Sequence, residues 1–136
     1  MPTSTSPAPG WPRSSEGSRA LRLPMVENCL FCAMVAGDIP VETVYSDEAV
    51  IAIPDINPQA PTHVLVVPRT HVRDVVELAA DADLSAQLLA GVRATARAVH
   101  VDQFRTVFNT GADVGQSVFH VHAHLLAGRP FGWPPG

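Results

Sequence analysis

The stretch Gly115-Gln-Ser-Val-Phe-His-Val-His-Ala-His-Leu-Leu126 decides the fold, because polar and apolar residues alternate from His120 to Leu125. Alternate side chains of a β-strand share a face. His120, His122 and His124 therefore project together, while Val121, Ala123 and Leu125 project into the opposite layer. Val118 to Leu126 reads as the final strand of a sheet with one apolar face to cover. A single histidine on a strand is usually a surface residue or a satisfied core residue. Three at period two, preceded by a glycine and a serine, point to a site. Imidazole can act there as nucleophile, proton carrier or metal ligand. Histidines on one flat strand reach a common metal only if the strand bends, so a three-histidine zinc site is the weaker reading.

The remaining elements follow by working back along the chain. Thr106 to Asn109 predicts a short strand and Gly111 to Gly115 a turn. Leu84, Leu88, Val92, Ala96 and Val99 follow the i, i+4 spacing of one buried helix face, with Asp81 or Asp83 available to cap the start. His100 falls at the exposed end of that helix. His63 to Val67 is a strand stopped by Pro68, and the two prolines and asparagine of Asp55-Ile-Asn-Pro-Gln-Ala-Pro61 make the preceding segment a loop. Val41 to Tyr45 and Ala49 to Ile53 form a hairpin around Ser46, Asp47 and Glu48. Cys29 to Ala36 predicts a short helix closed by Gly37. Hairpin-linked strands with one long helix and one or two short ones indicate an α+β fold with an antiparallel sheet of about five strands.

A chain of 136 residues, 46% of them hydrophobic, suits one globular domain. Residues 1–24 are rich in Pro, Ser, Gly and Thr without apolar periodicity, so a disordered tail is expected ahead of a domain spanning 25–136. The net charge of −4 gives no basic footprint for long nucleic acid or an anionic membrane. All nine basic residues are arginines, which excludes a Schiff-base lysine and a P-loop lysine. No apolar run is long enough to span a bilayer and no signal-peptide pattern opens the chain, so a cytoplasmic location is expected. Cys29 and Cys32 are too close to staple a secreted fold. Such an intracellular pair more often binds metal or does redox work.

The motif His120-Val-His-Ala-His-Leu-Leu126 resembles the signature of the histidine-triad nucleotide hydrolases. The match extends to Asp55-Ile-Asn-Pro-Gln-Ala-Pro-Thr-His63, Pro68-Arg-Thr-His71, Asn109, Gly115-Gln-Ser-Val118 and Trp133-Pro-Pro-Gly136, which look like the Hint branch. It covers the chain from about Asn28 onward.

By this resemblance His122 is the nucleophile, forming a transient nucleotidyl-imidazole that water then hydrolyses. Ser117 relays a proton to the leaving amine, and Gly115, Gln116, Ser117, Asn109 and His124 bind phosphate. Asp55 takes the ribose, and Phe31, Met34, Ile39, Ile53 and Ile56 build the base pocket, although each could equally be core packing. His63 supports the triad from behind. Cys29, Cys32, His71 and His120 complete a tetrahedral structural zinc site, for which a redox Cys-x-x-Cys is the alternative. The implied substrates are purine nucleoside 5′-phosphoramidates or aminoacyl-adenylates, with dinucleoside polyphosphates and a nucleotide-binding adaptor role as alternatives. A zinc-stabilised interaction module without catalysis is a further one. A homodimer is implied too, with Trp133 near the partner's active site. Trp133 could instead cover its own domain's core.

Overall fold

The computed structural model describes residues 28–136, so the expected tail over 1–24 lies outside the described residues. The order of elements is α1 (Leu30–Ala36), β1 (Tyr45–Ser46), β2 (Val50–Pro54), β3 (Thr62–Pro68), α2 (Val75–Leu78), α3 (Ala82–Ala98), β4 (Arg105–Val107) and β5 (Ala123–Ala127). The strands form one five-stranded sheet in the order β1-β2-β3-β5-β4, every pairing antiparallel. This is the α+β architecture expected from the sequence.

The two faces of the sheet are covered differently. Val50 and Ala52 of β2, Val64 and Val66 of β3 and Ala123 and Leu125 of β5 join Leu84, Leu88, Val92 and Ala96 of α3 in the larger core. Helix α3 begins where the Asp81 carboxylate accepts the Leu84 N–H at 2.9 Å, so Asp81 rather than Asp83 is the cap. It lies close on the sheet because Gly91 has no side chain: a Cβ there would stand 2.7 Å from Val50 Cγ2. On the opposite face, Ile51, Ile53, Leu65 and Val67 pack with Phe31 of α1. Gly37 closes α1 at φ 84, as expected of a glycine C-cap.

Several bounds depart from expectation. The ladder of the first hairpin is Tyr45–Ser46 against β2, preceded by the Val44 N–H on the Ala52 carbonyl at 2.8 Å, and Asp47 turns the chain by accepting the Ala49 and Val50 N–H groups at 2.7 and 2.8 Å. β4 ends at Val107, short of Asn109. β5 starts at Ala123 rather than Val118, since residues 118–122 are drawn toward the chain before α2, with the Val121 N–H bonded to the Val72 carbonyl at 2.7 Å. The second short helix, α2, had not been placed along the chain, yet Asp74-x-x-Glu77 encodes its start: the Asp74 carboxylate accepts the Glu77 N–H at 3.1 Å. Among the described residues no helix is long and apolar enough to cross a membrane.

Candidate active site

The alternation read from the triad survives the late start of β5. Val121, Ala123 and Leu125 enter the α3-side core, and His122 and His124 emerge on the α1 side with ring centres 5.1 Å apart. His120 is drawn aside, fully buried, because it lies where the chain has left the sheet. The three histidines therefore do not share one task.

His120 donates its Nε2 proton to the Pro68 carbonyl oxygen at 2.8 Å. Its Nδ1 then carries a lone pair, which faces Cys29 Sγ at 3.4 Å, Cys32 Sγ at 3.6 Å and His71 Nδ1 at 3.2 Å. Cys32 Sγ lies 3.4 Å from His71 Nδ1, and all four donor atoms fall within 4.8 Å of one another. A tetrahedron with ordinary Zn–N and Zn–S lengths has N···N edges of roughly 3.4 Å and S···N edges of roughly 3.6 Å. The four residues fit that group in chemistry and in spacing. Burial pushes His120 down to about 4 and also lowers His71, so both rings are neutral at neutral pH, as ligands must be. Cys29 is the N-cap of α1, its sulfur accepting the Cys32 N–H at 3.3 Å, so the Cys-x-x-Cys pair is fixed by the first turn of the helix.

His122 donates its Nδ1 proton to the His120 carbonyl oxygen at 2.8 Å, which leaves the lone pair on Nε2. Phe31 meets the ring edge-on at 4.9 Å and holds its plane. Burial lowers the His122 pKa, opposed by the hydrogen bond to His120 and the charge of Asp55.

A second chain of bonds sets His124. Gln59 donates its backbone N–H to His63 Nδ1 at 3.0 Å, so the proton of neutral His63 sits on Nε2. That nitrogen is 2.9 Å from His124 Nδ1 and 3.4 Å from Asp55 Oδ2. Because His63 donates to His124 Nδ1, the proton of His124 is on Nε2. The pairing follows from register: His63 faces Leu126 and Leu65 faces His124, making His63 and His124 a diagonal pair on one face. Burial, then the neighbouring His122 and His63, pushes His124 down to about 4. Asp55, His63 and His124 also converge like a metal site. The N–H aimed at His63 Nδ1 argues against one, since ligation through Nε2 would require a proton on Nδ1, facing that donor.

Beside the triad, Gly115 adopts φ 108, and a Cβ there would stand 3.6 Å from Asn109 Nδ2, so the loop lies against the Asn109 amide. The N–H groups of Gly115 and Gln116 are taken by the Ala112 and Gly111 carbonyls at 3.1 and 3.0 Å. The buried Gln116 amide accepts from Gly111 N at 2.9 Å and donates to the Arg73 and Val118 carbonyls at 2.8 and 3.2 Å. Gln116 is thus the tie that fixes this loop, and its donors are not turned to a phosphate. Ser117 is exposed and lines a cleft of about 390 Å³ with Asn28, Cys29, Leu30, His71, Val118 and Phe119.

The expected base-pocket residues separate. Phe31 and Ile53 are buried, Met34 packs partly against them and Ile39 is half-buried. Ile56 is fully exposed, beside the turn in which the Asp55 carboxylate accepts the Asn57 N–H at 2.8 Å. Trp133 is 84% exposed, which overturns the alternative that it covers its own core. Sequence reading missed Gln59 and Pro68, which act through backbone atoms that no side-chain pattern announces.

The HIT domain family matches residues 36–131. An uncharacterised HIT-like protein of Synechocystis sp. is 44% identical over 117 residues, covering 82% of this chain and 100% of its own length. A 14 kDa zinc-binding protein of Zea mays is 40% identical over 129 residues, covering 90% of this chain and 99% of its own. Among solved structures, a HIT family hydrolase from Legionella pneumophila superposes with TM-score 0.75 at 41% identity, covering 80% of this chain and 100% of its own. One from Clostridium thermocellum gives TM-score 0.75 at 38% identity, with 79% and 96% covered. Matched across most of its length in sequence and in fold, the chain belongs to the HIT family.

Proposed function

We propose that this protein is a nucleotide hydrolase that cleaves the P–N or related P–O bond of nucleoside 5′-phosphoramidates or aminoacyl-adenylates through a nucleotidyl-His122 intermediate. One observation carries the reading: the His122 Nδ1 proton is committed to the His120 carbonyl at 2.8 Å, so Nε2 offers a lone pair from a ring held neutral by burial. Nε2 attacks phosphorus, the bond to the leaving group breaks, and the leaving amine takes the Ser117 hydroxyl proton, which the hydroxyl regains from solvent water. Water then attacks the same phosphorus, releasing the nucleoside monophosphate and restoring His122.

Charge developing on the phosphoryl oxygens is met by the His124 Nε2–H, the Asn109 amide and the Ser117 N–H and hydroxyl. Asp55 accepts from the ribose hydroxyls, and Phe31, Met34, Ile39 and Ile53 receive a purine base. Cys29, Cys32, His71 and His120 would hold a zinc ion, which would supply a structural cross-link tying the start of α1 to His71 after β3 and to His120, the first residue of the triad. The reading includes a cytoplasmic homodimer in which Trp133 approaches the partner's site, and the exposure of Trp133 in the single chain supports it.

Turnover of a fluorogenic adenosine phosphoramidate tests the reading. Wild type should hydrolyse it, releasing the adenosine monophosphate stoichiometrically with the amine. A folded, zinc-loaded protein that binds adenosine monophosphate but leaves the phosphoramidate intact would overturn it.

A further inference from the structure

The stretch from Gly128 to Gly132, between β5 and Trp133, is built against the loop that positions His63, and the proposed chemistry assigns these residues no role. At Gly128 (φ 100) a Cβ would stand 2.8 Å from Pro61 Cβ, so the two backbones are in close approach. Arg129 reaches back across the loop, its Nε and Nη2 donating to the Gln59 carbonyl oxygen at 3.2 and 3.0 Å. Its Nη1 donates to the Pro130 carbonyl at 2.9 Å, and its guanidinium carbon lies 4.2 Å from the centre of the Phe131 ring. Phe131 is in turn met by Arg105 at 5.2 Å, whose Nη2 donates to the Gly132 carbonyl at 3.1 Å. The guanidinium is therefore seated on an aromatic ring before it grips the loop.

Gln59 is the hinge of this arrangement. Its carbonyl is held by Arg129, and its N–H holds His63 Nδ1 at 3.0 Å. We propose that Arg129 is a positioning residue: by fixing Gln59 it keeps the N–H aimed at His63, and so sets the tautomer of His63 and, through the 2.9 Å bond, of His124. Removing the guanidinium releases the Gln59–Ala60 peptide of this exposed loop residue, and with it the backbone torsions at Gln59 that link that peptide to the Pro58–Gln59 peptide carrying the N–H. The Gln59 side chain keeps only its 3.0 Å bond to the Asn57 carbonyl. His63 then exchanges between tautomers, and His124 presents its Nε2 proton for only part of the time. For its effect on rate the inference rests on the hydrolase reading; the tautomer is observable without any reaction.

The test uses the full chain with ¹⁵N-labelled histidine, its ring nitrogens read by NMR above the histidine titration range. Wild type should show His63 with Nδ1 unprotonated and Nε2 protonated. In Arg129→Ala the two His63 resonances should converge toward their mean, and kcat should fall about tenfold, the equivalent of one hydrogen bond, while KM changes little. Arg129→Lys should restore part of both. Phe131→Leu keeps Arg129 but removes its seat, and should produce the same convergence at smaller size; it decides the matter if Arg129→Ala does not fold. Wild-type His63 signals in a folded Arg129→Ala, or in Phe131→Leu should the first not fold, would overturn the inference whether or not the protein hydrolyses phosphoramidates.

Discussion

His122 gives its Nδ1 proton to the carbonyl oxygen of His120, 2.8 Å away, and that bond orients the ring, fixes its tautomer and leaves Nε2 unprotonated. If Nε2 is the nucleophile, His122→Ala removes the covalent step entirely. Turnover of an adenosine phosphoramidate should become undetectable, while adenosine monophosphate, held by donors that remain, should bind with little change in Kd by calorimetry. His124→Ala removes one phosphate donor and should cost about 10²–10³-fold in kcat. A larger loss at His124 than at His122 would mean the roles are exchanged.

The pH dependence follows from burial. His122 lies below the ordinary histidine value and His124 is pushed down to about 4. Neutral imidazoles should persist below pH 6.5, so kcat/KM on a substrate that does not titrate in the same range should stay flat through that value and fall only further into acid. A midpoint at the ordinary histidine value would contradict the burial account. Stability moves in the same direction: unfolded His124 takes up a proton near 6.5 and the folded residue only near 4, so its contribution is complete above 6.5 and is lost as pH falls toward 4. Chemical denaturation across that window measures it.

About one zinc per chain is expected on elemental analysis of protein purified without chelator. Stripping it, or replacing Cys32 by Ser, should lower stability, by about 4 kcal/mol if free zinc stood at a thousandfold its Kd. Because His120 gives Nδ1 to the cluster and its carbonyl to His122, rate should suffer too, but less than stability. A metal-free protein with a Cys29–Cys32 disulfide from reducing cells would refute the site.

How far the sequence carries the site depends on whether side chains or backbone do the work. The sheet and α3 were legible because Leu84, Leu88, Val92 and Ala96 repeat at helical spacing and the triad alternates. The distinct posture of His120 was not, because the chain leaves the sheet through the Val121–Val72 bond, a main-chain event. For the same reason the carbonyls of Pro68 and His120 and the N–H of Gln59, which together assign three histidine tautomers, had no signature. Gln116 was read as a phosphate ligand from its place in a motif, whereas its amide is spent tying Gly111 to Arg73.

Trp133 is 84% exposed at the end of a segment pinned by Arg105 and Arg129. Light scattering at micromolar concentration should report a dimer. Deleting residues 133–136 should leave folding and the triad intact yet change kcat/KM unequally across leaving groups. A monomer, or kinetics unchanged for every leaving group in the folded truncation, would reject the role of this segment.

The most direct measurement of the central claim is rapid alkaline quench of enzyme mixed with excess phosphoramidate, followed by mass analysis of the intact chain and its peptides, kept out of acid. The account predicts a transient increase of one nucleoside monophosphate residue, stable to alkali and labile to acid as a phosphorus–imidazole bond is, located on His122 and absent from His122→Ala. Product formed in a full first turnover, with no modified chain at any quench time or with the adduct on another residue, would contradict it.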